Sequence, residues 1–123
     1  MYLEGFVVAV PTANKEAYRK HAEEAVPIFK EFGMTRMVEC WGDDVPDGKV
    51  NDFKGAVKAK DDETVLFSWC EYPDKATRDA AGEKMRSDPR MQDMTDMPFD
   101  AKRMIFAGFE PMVEYGGDAK PGY

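Results

Sequence analysis

The segment Thr64-Val65-Leu66-Phe67-Ser68-Trp69-Cys70-Glu71-Tyr72 constrains the fold more than any other, because five of its nine residues are β-branched or aromatic and it carries apolar residues on both sides. Side chains along a strand point alternately to opposite faces, which sets Val65, Phe67 and Trp69 against Leu66, Cys70 and Tyr72. The opening run repeats the pattern, with Phe6, Val8 and Val10 opposed to Leu3, Val7 and Ala9. Near the other end of the chain Ile105 and Phe109 oppose Met104 and Phe106. An antiparallel sheet with one wet face alternates apolar with polar, so a sheet built from these strands has to be covered twice.

The intervening segments supply one cover. Residues 3–10 end at Pro11, which cannot donate to a sheet ladder. Thr12 and Asn14 offer caps for a helix whose apolar positions, Tyr18, Ala22, Ala25, Ile28, Phe29 and Phe32, recur at helical spacing up to Gly33. Pro27 is expected to kink or break that helix near residues 23–27. Residues 34–41 read as a second strand, and the run Gly42-Asp43-Asp44-Val45-Pro46-Asp47-Gly48 opens a long loop with room for one helical turn between residues 51 and 60. Asp74 caps a second helix, to about Ser87, on a thin stripe of Thr77, Ala81 and Met85. Asp88-Pro89 restarts a short helical piece through Met94, and residues 102–115 read as a last strand, interrupted at Gly108 and Pro111.

Strand, helix, two strands, helix, strand is the ferredoxin-like β-α-β-β-α-β order of an α+β fold, a four-stranded antiparallel sheet with both helices on one face. At 123 residues the chain has room for one domain, read as residues 1–116, with a frayed tail over 117–123. Two helices leave the other sheet face bare, and a bare face of that size exceeds the few hundred Å² that soluble monomers show. A second copy of the chain would cover it, making a homodimer. The competing use is that the loop over residues 42–63 folds across it.

Charge and cysteine usage narrow the function. Twenty-four acidic against 17 basic residues give a net charge of −7, which removes the generic attraction to phosphate backbones and anionic lipid. Neither nucleic acid nor membrane is expected as a partner, and RNA binding would need a basic stripe that this composition is hard pressed to assemble. The amino terminus has no basic n-region, and its apolar run is too short to span a bilayer, so a cytoplasmic location is expected. Cys40 and Cys70 sit in strands and are expected to be buried, reduced thiols. No C-x-x-C pair, zinc spacing, glycine-rich phosphate loop or Ser/His/Asp set is visible, and no cofactor or metal is expected.

Several separate blocks carry a resemblance. Gly5-Phe6-Val7-Val8-x-Val10-Pro11, Val38-Glu39-Cys40, Asp62-Glu63-Thr64-Val65-x-Phe67-Ser68-Trp69, Ser87-Asp88-Pro89-Arg90-Met91 and Met97-Pro98-Phe99-Asp100-Ala101-Lys102-Arg103-Met104, followed by Gly108-Phe109-Glu110-Pro111, resemble the uncharacterised bacterial family known as domain of unknown function 1428 over residues 3 to 115. The resemblance implies a dimeric α+β barrel, two ferredoxin-like units packed sheet against sheet, and implies little about activity.

Few residues stand out chemically. His21, the one histidine, falls on the sheet-facing side of the first helix and is a candidate acid or base; a structural imidazole bonded to a neighbour is the competing use. Glu39 and Glu71 interrupt apolar strands expected to be neighbours. They could share a proton or hold a metal, with Arg36 or Arg103 as counter-charge, or end their strands in solvent or in structural ion pairs. Met91-x-x-Met94-x-x-Met97 has the helical spacing of core packing rather than of a soft-metal site. Asp88, Arg90, Asp100, Lys102 and Arg103 read as turn chemistry that pins a connection. The expected ligand pocket, for a small apolar or aromatic molecule between helices and sheet, is lined by Trp41, Phe67, Trp69 and His21, with Glu39, Glu71 or Arg103 supplying polarity. The alternative is a non-catalytic dimer whose apolar residues only fill core and interface.

Overall fold

The computed structural model describes residues 1–92 and 97–117. Four strands, β1 (Tyr2–Pro11), β2 (Arg36–Trp41), β3 (Glu63–Tyr72) and β4 (Ile105–Phe109), form one antiparallel sheet in the order β2-β3-β1-β4. Helix α1 (Lys15–Glu31) connects β1 to β2, α2 (Phe53–Ala56) is a single turn in the long loop, and α3 (Lys75–Ser87) with the short α4 (Pro89–Gln92) connects β3 to β4. Each long crossover skips one strand, so α1 and α3 both lie on the same side of the sheet, as the ferredoxin-like order requires.

The register sorts the residues. Val8 lies opposite Leu66, Trp41 also opposite Leu66, Met37 opposite Cys70 and Glu39 opposite Ser68, so these side chains share the helix-covered face. Val8 and Val10 are buried there with Leu66 against Tyr18 and Ala22 of α1. A second cluster joins Cys70 and Tyr72 to Phe32, Met34 and Ala81 of α3, with Met85 packed against it. A fully buried valine stabilises by roughly 1.5–3 kcal/mol relative to exposure, so Val8 and Val10 alone tie β1 firmly to α1.

Helix α1 departs from expectation in its interior and at its amino end. Pro27 sits inside a continuous helix. It deprives the Glu23 carbonyl of its donor, but Glu23 and Pro27 are both exposed, so water satisfies that carbonyl and the helix carries on. Asn14 makes no side-chain cap; its amide donates to the Pro98 carbonyl at 3.0 Å, and the Thr12 and Thr64 hydroxyls meet at 2.7 Å. The carboxyl end follows the glycine rule. Gly33 takes φ 114°, and the amides of Gly33 and Met34 return to the carbonyls of Lys30 and Phe29, both at 3.0 Å. Asp74 caps α3 as expected, accepting from the Thr77 amide at 2.7 Å.

β4 is shorter than the sequence suggests, five residues rather than most of 102–115. A 3-10 turn, Ala101–Arg103, occupies the start of that stretch. Its end is fixed by pairing: Phe109 lies opposite Leu3, one residue from the end of β1, and Pro111 has no amide to continue a ladder. Gly108 leaves room within the strand for two side-chain ends, since a Cβ there would displace the Tyr2 hydroxyl and the Arg78 guanidinium. The expected tail falls mostly on residues 118–123, and Met94 of the methionine series also lies outside the described residues.

On the far side of the sheet the long loop covers only one end. Val57 is fully buried there against Ala9 and Val65, with Val45 and Ala59 beside it. Beyond that end Phe67, Ile105 and Phe109 are each about half exposed, as is Phe53 of α2. The loop therefore covers part of the second face and leaves most of it open. Cys40 also lies on the open face and is exposed, whereas Cys70 is buried under the helices. Only the second thiol fits the expectation, and the sheet itself separates the two.

Candidate functional site

Where α1 crosses β2 and β3 at the edge of the sheet, the helix stands away from the strands and opens a cleft of about 240 Å³. Alternation along β2 turns Met37, Glu39 and Trp41 into this cleft, and Leu66 of β3 and Ala22 of α1 complete its apolar wall. Tyr18 projects from the buried stripe of α1. A phenol needs a partner when its ring is buried, and Tyr18 finds one in the Glu39 carboxylate, its hydroxyl donating to Oε2 at 2.9 Å. The Ser68 hydroxyl, directly across the ladder, supports the same carboxylate.

The mouth of the cleft is charged. Lys15 and Arg19, one turn apart on α1, stand with Glu23 on the outer lining. The Lys15 ammonium lies 5.6 Å from the Trp41 ring centroid, close enough for a cation–π contact. Arg19 pairs with Glu16 at 3.1 Å in solvent, a contact of small energetic weight.

Burial sets the electrostatics inside. It raises the Glu39 carboxyl above the ordinary carboxylate range, outweighing the bonds from Tyr18 and Ser68 that favour the charged form. Burial first, and the neighbouring Glu39 second, push the Tyr18 phenol far above its ordinary value, so it remains a hydrogen-bond donor. Glu39 is thus a carboxyl that can accept a bond when charged, or give and take a proton, at the floor of an apolar cleft with cations at its rim.

The other expected residues are not gathered here. Phe67 and Trp69 belong to the open face, with ring centroids 5.9 Å apart, and cannot line a pocket with Trp41 through the thickness of the sheet. Glu39 and Glu71 are likewise on opposite faces, which rules out a shared proton or metal between them. Glu71 accepts from the Trp69 indole at 3.0 Å and from Arg36 at 3.2 Å, a structural pair at the strand end. Its expected counter-charge, Arg36, is the partner found.

Arg103 is committed elsewhere. It grips Glu63 with two bonds of 2.7 Å, Asp100 at 3.0 Å and the Lys58 carbonyl at 2.8 Å. This guanidinium holds the Glu63 carboxyl down at about 2. Asp100 also accepts from the Lys102 amide, and Asp88 from Arg90, so the charged block pins its connection. His21 sits half-buried between Tyr18 and Phe99, at centroid distances of 6.4 and 6.2 Å, rather than on the sheet. Burial lowers its pKa, against the pull of Glu24.

Tyr18, Ser68, Lys15 and Arg19 are the site residues that sequence reasoning missed. Tyr18 is the one phenol on the apolar stripe of α1, and Ser68 the one hydroxyl within the Val65–Cys70 run of β3; those two facts were the available signal.

The model of a protein family of unknown function, DUF1428, matches residues 1–101. The chain belongs to that family. It is 60% identical over 114 residues to the uncharacterised protein YbaA of Escherichia coli K12, covering 92% of this chain and 97% of that protein, and matches the same protein of Shigella flexneri equally. Among solved structures it is similar to an uncharacterised NIPSNAP domain protein from Burkholderia xenovorans, with a TM-score of 0.61 at 19% identity, covering 95% of this chain and all of that one. It is also similar to a dimeric ferredoxin-like protein from an uncultured marine organism, with a TM-score of 0.56 at 11% identity, again over 95% of this chain and all of the other. At these identities the likeness concerns the fold, and it agrees with the family resemblance carried by the sequence blocks. Among the described residues no helix is long and apolar enough to cross a membrane.

Proposed function

We propose that this DUF1428 protein is a cytoplasmic homodimer that binds a small planar aromatic molecule in the cleft between α1 and the sheet. The observation that carries the reading is the Tyr18–Glu39 pair at the floor of an otherwise apolar cleft, beside Trp41 and below two cations. A half-buried carboxyl with a raised pKa costs stability, and such groups concentrate where ligands are bound or protons moved. The ligand that fits this arrangement has a ring to lie along Trp41, an anionic group for Lys15 and Arg19, and a hydrogen-bond donor for Glu39.

The test uses 4-hydroxybenzoate as the first probe, followed by a panel of related aromatic acids, read by thermal shift and by the indole N–H resonance of Trp41. The expected result is a saturable rise in Tm and a shift of that resonance, both lost in Trp41→Ala and weakened in Glu39→Ala. A panel that moves neither signal at millimolar concentration removes the cleft as an aromatic-acid site.

The pairing rests on a separate observation. Phe67 and Phe109 are about half exposed on the open face, as is Phe53 of the loop helix beside it, and at ~150–250 Å² for a whole aromatic side chain these three leave roughly 250–350 Å² bare between them, with half-exposed Ile105 adding to it. A bare patch of that size lies at the few hundred Å² where soluble chains begin to use an apolar face for association, and supplies the centre of the ~800 Å² per partner that a standard interface buries. The solved relative described as dimeric supports the same reading. A monomer at micromolar concentration in equilibrium sedimentation would rule the pairing out.

A further inference from the structure

The open face carries two features that answer one another. The first is a hollow of about 360 Å³ beside the loop, bounded by Val7 on β1, Ile105 on β4, and Phe53 and Ala56 on α2. Asn51 and Asp52 stand at its rim. Asp52 already accepts from the amides of Gly48 and Gly55, at 2.9 and 2.5 Å, and so holds the rim in shape. The second feature is the segment that follows β4. Pro111 and Glu114 are half-buried, which seats the segment on its own copy, yet Met112, Val113 and Tyr115 are 92%, 82% and 101% exposed. An arm that is partly buried against its own copy and leaves three apolar side chains bare is suited to a contact with something else.

The arm leads away from the hollow of its own copy. Ile105, at the hollow, lies opposite Val7, and β4 then runs to Phe109, opposite Leu3. Four residues of strand carry the chain ~13 Å along the sheet before the arm begins. The occupant of the hollow therefore comes from elsewhere. A second copy paired through the same face brings an identical arm, and a two-fold axis makes any such contact reciprocal.

Resting on the pairing proposed above, we infer that the homodimer exchanges arms, with Met112 and Tyr115 of each copy seated in the Val7–Phe53–Ile105 hollow of the other. The chemistry is matched. Apolar walls receive apolar side chains, and a tyrosine brings a hydroxyl that can reach a polar rim such as Asn51 while its ring is buried. The arms add three exposed apolar side chains per copy to a flat face whose own bare side chains fall short of the ~800 Å² per partner of a standard interface. Each copy both gives and receives, so neither arm is left bare.

Two measurements on the full chain test this. Equilibrium sedimentation compares it with the triple variant Met112→Ser, Val113→Ser, Tyr115→Ser and with Phe53→Ser; all four positions are exposed, so the single copy still folds, as circular dichroism would verify. Dimer dissociation constants about 10–100-fold weaker are expected in both variants. In the second measurement, Cys40→Ser removes the exposed thiol, and Tyr115→Cys carries a nitroxide on unlabelled chain mixed with nitrogen-15-labelled Cys40→Ser chain. Broadening of the Phe53 and Ile105 amides in the labelled copies is expected. Dimers of unchanged affinity, or no broadening at those two amides, overturn the exchange while leaving the pairing intact. If the unaltered full chain is a monomer, the pairing itself falls, and the exchange with it.

Discussion

The two faces of the sheet are made by the same strands from much the same residue types, yet they do different things. Neighbours in sequence show it best. Leu66 is buried beneath α1, while Phe67, one residue on, is about half exposed on the other side. The covered face also admits polar groups, and each is matched: Glu4 meets Arg78 at 3.4 Å, and Glu39 meets Tyr18 and Ser68. The open face keeps its charged pairs, Arg36 with Glu71 and Arg103 with Glu63, at the two ends of β3, and its strands are apolar between them. Polarity inside a core is costly unless partnered, so the face that carries partnered polar groups is where chemistry can be built. The bare apolar face is suited to association.

The sharpest way to break this contrast is to truncate those two neighbours. Leu66→Ala should lower unfolding free energy by about 2–5 kcal/mol, since it empties a packed site in the main core. Phe67→Ala should cost the single copy under about 1 kcal/mol and instead weaken self-association. Urea denaturation at low protein concentration reads the first effect and sedimentation the second. Equal losses in urea would mean that the open face is as much a core as the covered one.

A smaller effect probes the end of the open face that the loop does cover. Arg103 holds that loop to the start of β3 by binding Glu63 and the Lys58 carbonyl together. The Glu63 carboxyl has a folded pKa of about 2 against an ordinary value of 4.5. A depressed carboxyl stabilises the fold fully above its unfolded pKa, and that contribution is lost as pH falls from 4.5 through 2. Glu63→Gln should therefore cost about 1–3 kcal/mol at neutral pH and flatten the acid limb in that window. Its thermal unfolding, followed from pH 7 to pH 2, should converge on that of the native chain. A gap that persists unchanged to pH 2 would show that the ion pair is not what holds the loop.

How much of this was legible in the sequence differs between the faces as well. Period-two apolarity located β1, β3 and the need for two covers, because alternation is a backbone property that needs no tertiary information. The same alternation placed Glu39 and Glu71 on opposite faces once β2 and β3 were in register, but residue types alone do not fix register, and the two acids read as neighbours. The assignment of Trp41, Phe67 and Trp69 to one pocket failed for the same reason. Arg103 read as a ligand group because its partner, Glu63, is 40 residues away. Pro27 read as a break because the outcome depends on whether the Glu23 carbonyl faces water, which is a fact about packing.

The smallest expected effect is the one that bears most on function, and it runs opposite to that of Glu63. Burial raises the Glu39 carboxyl, so the folded chain holds that proton more tightly than the unfolded one. The sign follows: its contribution is most favourable at pH values below the unfolded pKa and is lost as pH rises through the folded one. Glu39→Gln keeps an oxygen for the Tyr18 hydroxyl and removes the cost of a buried charge. It should raise Tm slightly at pH 7, with the advantage shrinking below pH 4.5. A chain that would be steadier with glutamine yet carries glutamate is retaining the acid for something other than stability, as binding and catalytic sites do. Lower stability of Glu39→Gln at pH 7 would instead make Glu39 a structural partner of Tyr18, and would leave the cleft with an apolar wall and no proton to offer.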